Sequence, residues 1–500
     1  MPGFAIARDQ IRFLADRLSS IRDRAGNSNS LALAIVFLTN LVDNLLLTSV
    51  VPVIPALLLQ QDKQEFDNTN SALHSYNDMR ACSKEALNLS TTEDELPPPV
   101  FSLTSVAVTE NSRVGWLLSS KAVVQILANF LIGQLCNRIG YPLILLAGSF
   151  VIFMSSIVFA FAESYIPLLL ARSLQGLGSA GTVVAGMSIV ARRYPDDKSR
   201  SRAMGLAMSG GACGVLVGYP FGGFMYNFVG KTAAFLMIAV SILLDAGIQV
   251  FVFGIKVKTE SYVTITPLYA LLKDHYILIA SGAVMLTTMS MSVLEPTVPL
   301  WVMSTMEVKN WELGLVFLPD SVGYLMGTNC FGLPARNMGR WMCTIFCMLL
   351  IALCLICLPF ATSLPQLILP HFGLGLGLGI TDAAVMPLLA LLVDLRHEAF
   401  YGCVYAVVQL AVCLAYFVGP SVAGLLVSAV GFPWLMRGMA LMNIVYCPLC
   451  YLLSKAPLEA EDGTLLSKDP TATPNYTAES RHTEIDEVRL FYGRLCEDDD

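Results

Sequence analysis

Charge is scarce in this chain. Asp, Glu, Lys and Arg make up 14% of its 500 residues, where an ordinary soluble domain carries about 25%. That shortage excludes an ordinary soluble enzyme, a disordered segment and a coiled coil. The 13 cysteines do not form a disulfide framework, because all but Cys82 fall in apolar stretches, at their ends or in the C-terminal tail. Cys354-x-x-Cys357 and Cys447-x-x-Cys450 have redox spacing, but inside apolar helices they read as packing residues. No shared pore-loop sequence of a channel is present. A lipid enzyme stays open as an alternative, although no catalytic cluster is visible. Gly176-x-Gly178-x-x-Gly181 has dinucleotide-fingerprint spacing, yet it follows no strand and lies within an apolar run. No cofactor, metal or nucleic acid is expected.

What the chain has in abundance is apolar sequence, with 55% hydrophobic residues and a mean hydropathy of +0.63. A helix crosses the hydrocarbon core with roughly 20 apolar residues. Twelve such stretches stand out, at 31–56, 114–136, 142–162, 166–191, 203–227, 233–255, 276–301, 312–335, 341–361, 366–393, 401–428 and 432–453. Lipid offers backbone groups no partners, so helices must carry them. The fold expected is an all-α membrane protein of twelve transmembrane helices in two pseudo-symmetric six-helix bundles. The first stretch is too long, and too far in, for a cleaved signal peptide, so it is expected to be a true first span.

Basic residues set the orientation. Arg8, Arg12, Arg17, Arg22 and Arg24 precede the first span, and Arg192, Arg193, Lys198, Arg200 and Arg202 lie between spans 4 and 5. Both termini are therefore expected in the cytosol. The organisation reads as an N-terminal segment at 1–30, a first bundle at 31–256, a cytosolic linker at 257–275, a second bundle at 276–454 and an acidic tail at 455–500. A polar loop at 57–113 faces the other side and carries the glycosylation sequon Asn88-Leu89-Ser90. A second match, at Asn475, sits in the cytosolic tail and is expected to stay silent. The net charge of −7 resides in the tail and this loop, which leaves the membrane body basic.

The chain also repeats itself. Gly133-x3-Asn137-Arg138-x-Gly140 returns 199 residues later as Gly332-x3-Arg336-Asn337-x-Gly339. Val217-Gly218-Tyr219-Pro220 with Val229-Gly230 is echoed by Val418-Gly419-Pro420 with Val430-Gly431. Two related six-helix halves point to a transporter with its binding site between them.

A charge at the bilayer centre costs a few kcal/mol even on the lenient scale, so it marks function by default. Asp43, Lys121, Arg172, Asp245, Glu295, Asp320 and Asp382 lie well inside spans, and Asp394 lies nearer a span end. Acids outnumber bases here, which suits a cationic substrate and proton carriage. Asp43 and Lys121 can pair to lock two helices or contact substrate. Glu295 precedes Pro296, which bends its helix toward the cavity. Asp382 has no obvious local partner, Arg172 can serve as a counter-ion, and Asp245 stays open between packing and function. His397 reads as a surface histidine or a proton relay. Tyr324 and Tyr416 either pack or offer a ring face to an ammonium ion.

Several of these runs resemble the vesicular amine transporters of the major facilitator superfamily. They are Leu41-Val42-Asp43-Asn44-Leu45-Leu46, Ser120-Lys121-Ala122, Ala171-Arg172-Ser173-Leu174-Gln175-Gly176, Leu294-Glu295-Pro296, Asp394-Leu395-Arg396-His397 and Gly431-Phe432-Pro433-Trp434-Leu435-Met436. The likeness runs from span 1 to span 12. Phe317-Leu318-Pro319 with Tyr324, Gly327, Thr328 and Asn329 favours the monoamine branch over the acetylcholine branch. The resemblance implies a proton-coupled antiporter loading amines into acidic secretory or synaptic vesicles, a vesicle-membrane location and small cationic amines as substrates. It assigns substrate contact to Asp43, Asn44, Glu295, Tyr324, Tyr416 and Thr288, and places Lys121, Arg172 and Asp382 in coupling and gating. Protons, membrane lipid and sorting adaptors are the other partners expected of a monomer. Glu461-x3-Leu465-Leu466 in the tail fits an acidic dileucine sorting signal.

The departures are specific. Gln409 stands where the family has an Asp, and Gln cannot carry a proton at physiological pH. Thr288 replaces an Asn, and aromatic pocket positions read Leu118 and Val412. Met306-Glu307-Val308 lacks the family's loop Cys, which leaves Cys82 unpaired. Asp320 is an acid the family lacks, one helical turn from Tyr324 on the same face. Two readings follow: Asp320 partly replaces the acid lost at 409, or Gln409 marks altered coupling or substrate. A carrier of another organic cation, such as acetylcholine, a polyamine or a drug, and a non-transporting receptor on the same fold are the alternatives to a monoamine carrier.

Overall fold

A computed structural model describes residues 28–50, 103–254, 268–306, 316–397 and 401–455 of the chain. Cys82, Asn88, Glu461, Leu465 and Leu466 lie outside the described residues, as does the side chain of Leu118. Every regular element among the described residues is helical. The long helices are α1 (Asn29–Val50), α2 (Leu103–Ile139), α3 (Tyr141–Phe161), α4 (Tyr165–Arg193), α5 (Asp197–Phe228), α6 (Lys231–Phe253), α7 (His275–Thr305), α8 (Leu318–Cys330), α9 (Arg340–Cys357), α10 (Leu364–Arg396), α11 (Tyr401–Val430) and α12 (Phe432–Tyr451).

Ten of these are long and apolar enough to cross a membrane. The other two, α2 and α8, fall on the remaining predicted stretches. The eighth stretch is broken at Phe331 and resumes as a short helix, Gly332–Met338, because Pro334 lacks the N–H that would bond the Cys330 carbonyl. Helix α5 begins before the predicted apolar run. Asp196 caps it, accepting a 2.9 Å hydrogen bond from the Ser199 N–H, and a capped polar first turn needs no lipid.

Glycines set the close seams, as expected where lipid-facing helices gain little by burying apolar surface against each other. Gly210, Gly214 and Gly222 of α5 lie directly on the α1 backbone at Phe37, Leu41 and Ser49. Gly176 of α4 lies on Lys121 of α2, and Gly375 of α10 lies on Asp320 of α8. The repeat has a backbone cause. Gly140 and Gly339 turn at φ +103° and +91°, and Gly230 and Gly431 at +105° and +82°, a region only glycine enters freely.

The first six helices meet the last six through α2 against α11 and α5 against α8. Gly133 faces Ala406 and Cys403, and Gly205 lies on the Thr328 carbonyl. One apolar cluster joins Val36, Tyr141, Met204, Met386 and Tyr405 across this junction. Ion pairs close it at the end bearing the α4–α5 and α10–α11 connections. Asp197 accepts from Arg340 at 2.5 Å and Arg336 at 3.1 Å. Arg200 donates to Asp394 at 2.6 Å, which also accepts from the Tyr401 hydroxyl at 2.6 Å. Beside them, Asp274 caps α7 and meets Arg396 at 2.9 Å and His397 at 3.0 Å. Burial works against the Asp274 charge, but His397, Arg396 and the Tyr276 N–H outweigh it and hold the carboxyl below its ordinary range.

Candidate functional site

Three acids of the second half converge. Asp320 sits in the first turn of α8, behind Pro319. Because Gly375 has no side chain, the Asp320 carboxyl lies over α10; its Oδ1 would stand 2.8 Å from a methyl at that glycine. One turn along α8, the Tyr324 hydroxyl donates to Asp382 Oδ2 at 2.8 Å. Gly379 permits this contact by lying on the Tyr324 backbone. Asp320 Oδ1 and Asp382 Oδ1 are buried and accept no hydrogen bond among the described residues. Glu295 is half-buried on α7, a helix with Pro296 and Pro299 inside it. Tyr416 of α11 lies in the field of Glu295, Asp320 and Asp382.

The first half contributes the bases. Asp43 is buried on α1 and accepts a 2.7 Å hydrogen bond from Ser179 of α4. Lys121 lies in the field of Asp43, Arg172 and Glu295 but makes no ion pair with Asp43 among the described residues, so the pairing that would lock α1 to α2 is not formed here. Arg172 is buried, donates to Gln175 at 2.7 Å and to the Leu47 carbonyl at 3.4 Å, and lies in the field of Glu295 and Asp43. Of the second half's acids, Glu295 thus lies in the field of both bases of the first. An organic cation entering between the halves meets carboxylates and tyrosine rings together, and unpaired carboxyl oxygens can take up protons.

Other expected residues sit apart. Asn44 donates to its own helix at the Asn40 carbonyl, 2.9 Å, and packs on Gly211 and Gly214 of α5. Asp245 accepts from Thr39 and Gln249, each at 2.8 Å, in a network between α1, α3 and α6 that Ser149 completes. Thr288 is buried on α7, while Gln409 and Val412 are half-buried on α11. His397 belongs to the ion-pair end described above.

Two residues escaped the sequence reading. Tyr219 of α5 stacks on Phe317 at 6.4 Å in the field of Glu295, Tyr416, Asp320 and Arg172. It is the residue the Val-Gly-Tyr-Pro repeat does not return. His371 of α10 is fully buried and meets Phe317 edge-on at 5.8 Å. An isolated histidine in an apolar run carries no local pattern to mark it.

The profile of the Major Facilitator Superfamily matches residues 36–414 and 280–474. The chain is 43% identical over 484 residues to a synaptic vesicular amine transporter of Mus musculus, covering 90% of this chain and 93% of that protein. It is 41% identical over 514 residues to the chromaffin granule amine transporter of Homo sapiens, covering 95% and 97%. Identity falls to 32% over 502 residues for the vesicular acetylcholine transporter of Rattus norvegicus, covering 93% and 91%. A crystal structure of the human organic anion transporter MFSD10 superposes with a TM-score of 0.68 at 16% identity, covering 85% of this chain and 99% of that one, which is a likeness of fold.

Proposed function

The chain belongs to the vesicular amine transporters of the major facilitator superfamily, and from that premise we propose that it loads a cationic monoamine into acidic vesicles in exchange for protons. The observation that carries this reading is the convergence of Glu295, Asp320 and Asp382 on Tyr416, with Glu295 also in the field of Lys121 and Arg172 from the other half. Amine and proton are both cations, and a limited set of carboxylates makes them compete. Protonation of the acids from the lumen displaces the amine there, and their discharge to the cytosol restores the empty site. Glu295 and Asp43 hold the ammonium, the tyrosines flank it, and Asp382 carries a proton. With the basic end facing the cytosol, the ion pairs at Asp197, Asp394 and Asp274 close the cytosolic mouth, so this is the state that exchanges with the lumen.

Uptake of labelled amines into acidified vesicles, with and without a proton uncoupler, tests the proposal. Accumulation abolished by uncoupler is the expected result. Gln409 supports a second reading, since an amide at this half-buried position on α11 carries no proton. A chain that binds amine without accumulating it is then a receptor on a transporter fold, and the same assay identifies it. A panel of mono-, di- and quaternary amines competing in that assay separates the monoamine reading from other organic cations.

A further inference from the structure

Seen through the repeat, the two halves build one seam twice. Lys121 and Asp320 are 199 residues apart, as are Gly176 and Gly375, and Arg172 and His371. The contact is the same in both: the glycine of α4 or α10 lies on the backbone carbonyl of Lys121 or Asp320. Arg172 and His371 each precede that glycine by one turn. The first seam thus carries two fixed cations where the second carries an acid and an imidazole.

The second seam also holds unmet hydrogen-bonding capacity. His371 Nδ1 is 3.0 Å from the Leu367 carbonyl, which only accepts, so Nδ1 holds the ring proton. In the neutral ring Nε2 is then a bare lone pair, and it is buried without a partner. Asp320 Oδ1, opposite Gly375 one turn further along α10, is likewise buried and unmet. Asp320, Tyr324 and Asp382 continue the line. One turn separates the first two along α8, on the face that Gly375 and Gly379 of α10 meet. The last step is the 2.8 Å bond from the Tyr324 hydroxyl to Asp382.

We propose that His371, Asp320 and Tyr324 form a proton-loading path along the α8–α10 seam that ends on Asp382. A proton taken up at His371 Nε2 passes to Asp320 Oδ1 and then to the Tyr324 hydroxyl oxygen. That hydroxyl releases its own proton to Asp382 Oδ2, and the imidazole, the carboxylate and the phenol return to their starting forms. The titratable groups facing the path are Tyr219 from α5, Glu295 from α7, Cys354 from α9 and Tyr416 from α11. None of these is a fixed cation, so the path lies apart from Lys121 and Arg172. This inference rests on the proton-exchange reading above.

The test uses the full chain in liposomes with an acid interior, following uptake of radiolabelled phenylethylamine as the interior pH is varied. Uncoupler-sensitive uptake by the unaltered chain tests the exchange reading by itself. His371→Gln is expected to move the half-maximal interior pH about one unit more acid, a tenfold higher proton demand. Asp320→Asn is expected to move it the same way. The double variant is expected to go no further than the larger single shift, since both act on one path. Asp320→Glu is expected to restore part of the profile. Binding of phenylethylamine without a gradient reports that His371→Gln is folded; if that binding is lost, Asp320→Asn carries the test. Unshifted profiles beside a coupled unaltered chain overturn the path and leave exchange standing. An unaltered chain whose uptake ignores uncoupler overturns both.

Discussion

The α2–α4 and α8–α10 seams have the same backbone and opposite chemistry. In each, a glycine of the later helix rests on a carbonyl of the earlier one, at Lys121 in the first and Asp320 in the second. The neighbouring seams are duplicated too: on the far side of the same helices, Gly178 faces Ile152 of α3 and Gly377 faces Ile351 of α9. Duplication kept what packing requires, namely glycines and their opposing backbone, and released what packing does not see. The side chains at the equivalent positions diverged into a lysine and an arginine, Lys121 and Arg172, on one side and an acid and an imidazole, Asp320 and His371, on the other. A site that must bind a cation and then expel it needs both. Under the proposed function, positive charge on the first seam limits how many cations are held, and the acids of the second decide which one.

The comparison breaks most readily at Asp382. Asp382→Asn is expected to lower gradient-driven uptake about a hundredfold, the scale at which a positioned proton-transfer group matters, measured as initial rates in acid-loaded liposomes. Arg172→Lys keeps the charge but loses the planar fork that reaches Gln175 and the Leu47 carbonyl. It is expected to slow uptake while leaving the pH profile in place. A shifted profile would mean that the first seam also takes part in protonation.

Packing gives a second test, smaller in effect. Gly176→Ala and Gly375→Ala each press a methyl into a facing backbone carbonyl. Each is expected to cost about 1–3 kcal/mol, read as similar drops in thermal unfolding midpoint in detergent. Unequal drops would show that the seams are alike only in outline.

Much of this contrast is present in the amino-acid sequence. The twelve apolar runs, the turn glycines and the rare acids can be read directly, because length, positive φ and burial cost act on single positions. The pairing of Tyr324 with Asp382 joins residues 58 positions apart and depends on Gly379 permitting close approach. Arg200 with Asp394 and Asp197 with Arg340 likewise join distant segments, and no local period encodes them. His371 is the instructive omission. It has no local signal, but the repeat offset that maps Gly133 to Gly332 also maps Arg172 to His371, so the signal lay in the comparison of halves.

The ion-pair end responds to pH for a different reason, and its effect is smaller again. Asp274 is held below its ordinary range by His397, Arg396 and the Tyr276 N–H against the cost of burial. A carboxyl depressed in the folded state stabilises the fold above its unfolded value, and that stabilisation is lost as pH falls through the folded one. The thermal midpoint gap between the unaltered chain and Asp274→Asn is therefore expected to be full near neutrality and to close below about pH 4. A gap already absent at neutrality would place the residue's role in the hydrogen bond it accepts from the Tyr276 N–H alone, which the amide oxygen can also accept.

Asp245 supplies the smallest effect and a control for the whole argument. It is as rare by composition as Asp382 and as buried, at 5% exposure against 7%, so cost alone ranks the two together. The difference lies in what surrounds the carboxyl. Asp382 is reached by one tyrosine hydroxyl on the seam between cavity helices. One oxygen of Asp245 takes hydrogen bonds from both Thr39 and Gln249, and Gln249 is bonded in turn to Ser149. That network ties α1, α3 and α6 within one half, though Asp245 Oδ1 and Gln249 Oε1 stay unmet among the described residues. Asp245→Asn keeps the shape and an oxygen able to accept both bonds. Uptake and its pH profile are expected to stay within about twofold of the unaltered chain, as for a change away from the transported charges. A large shift in the profile would mean that proton exchange draws on a carboxyl of the first half, and the division of labour between the seams would fail.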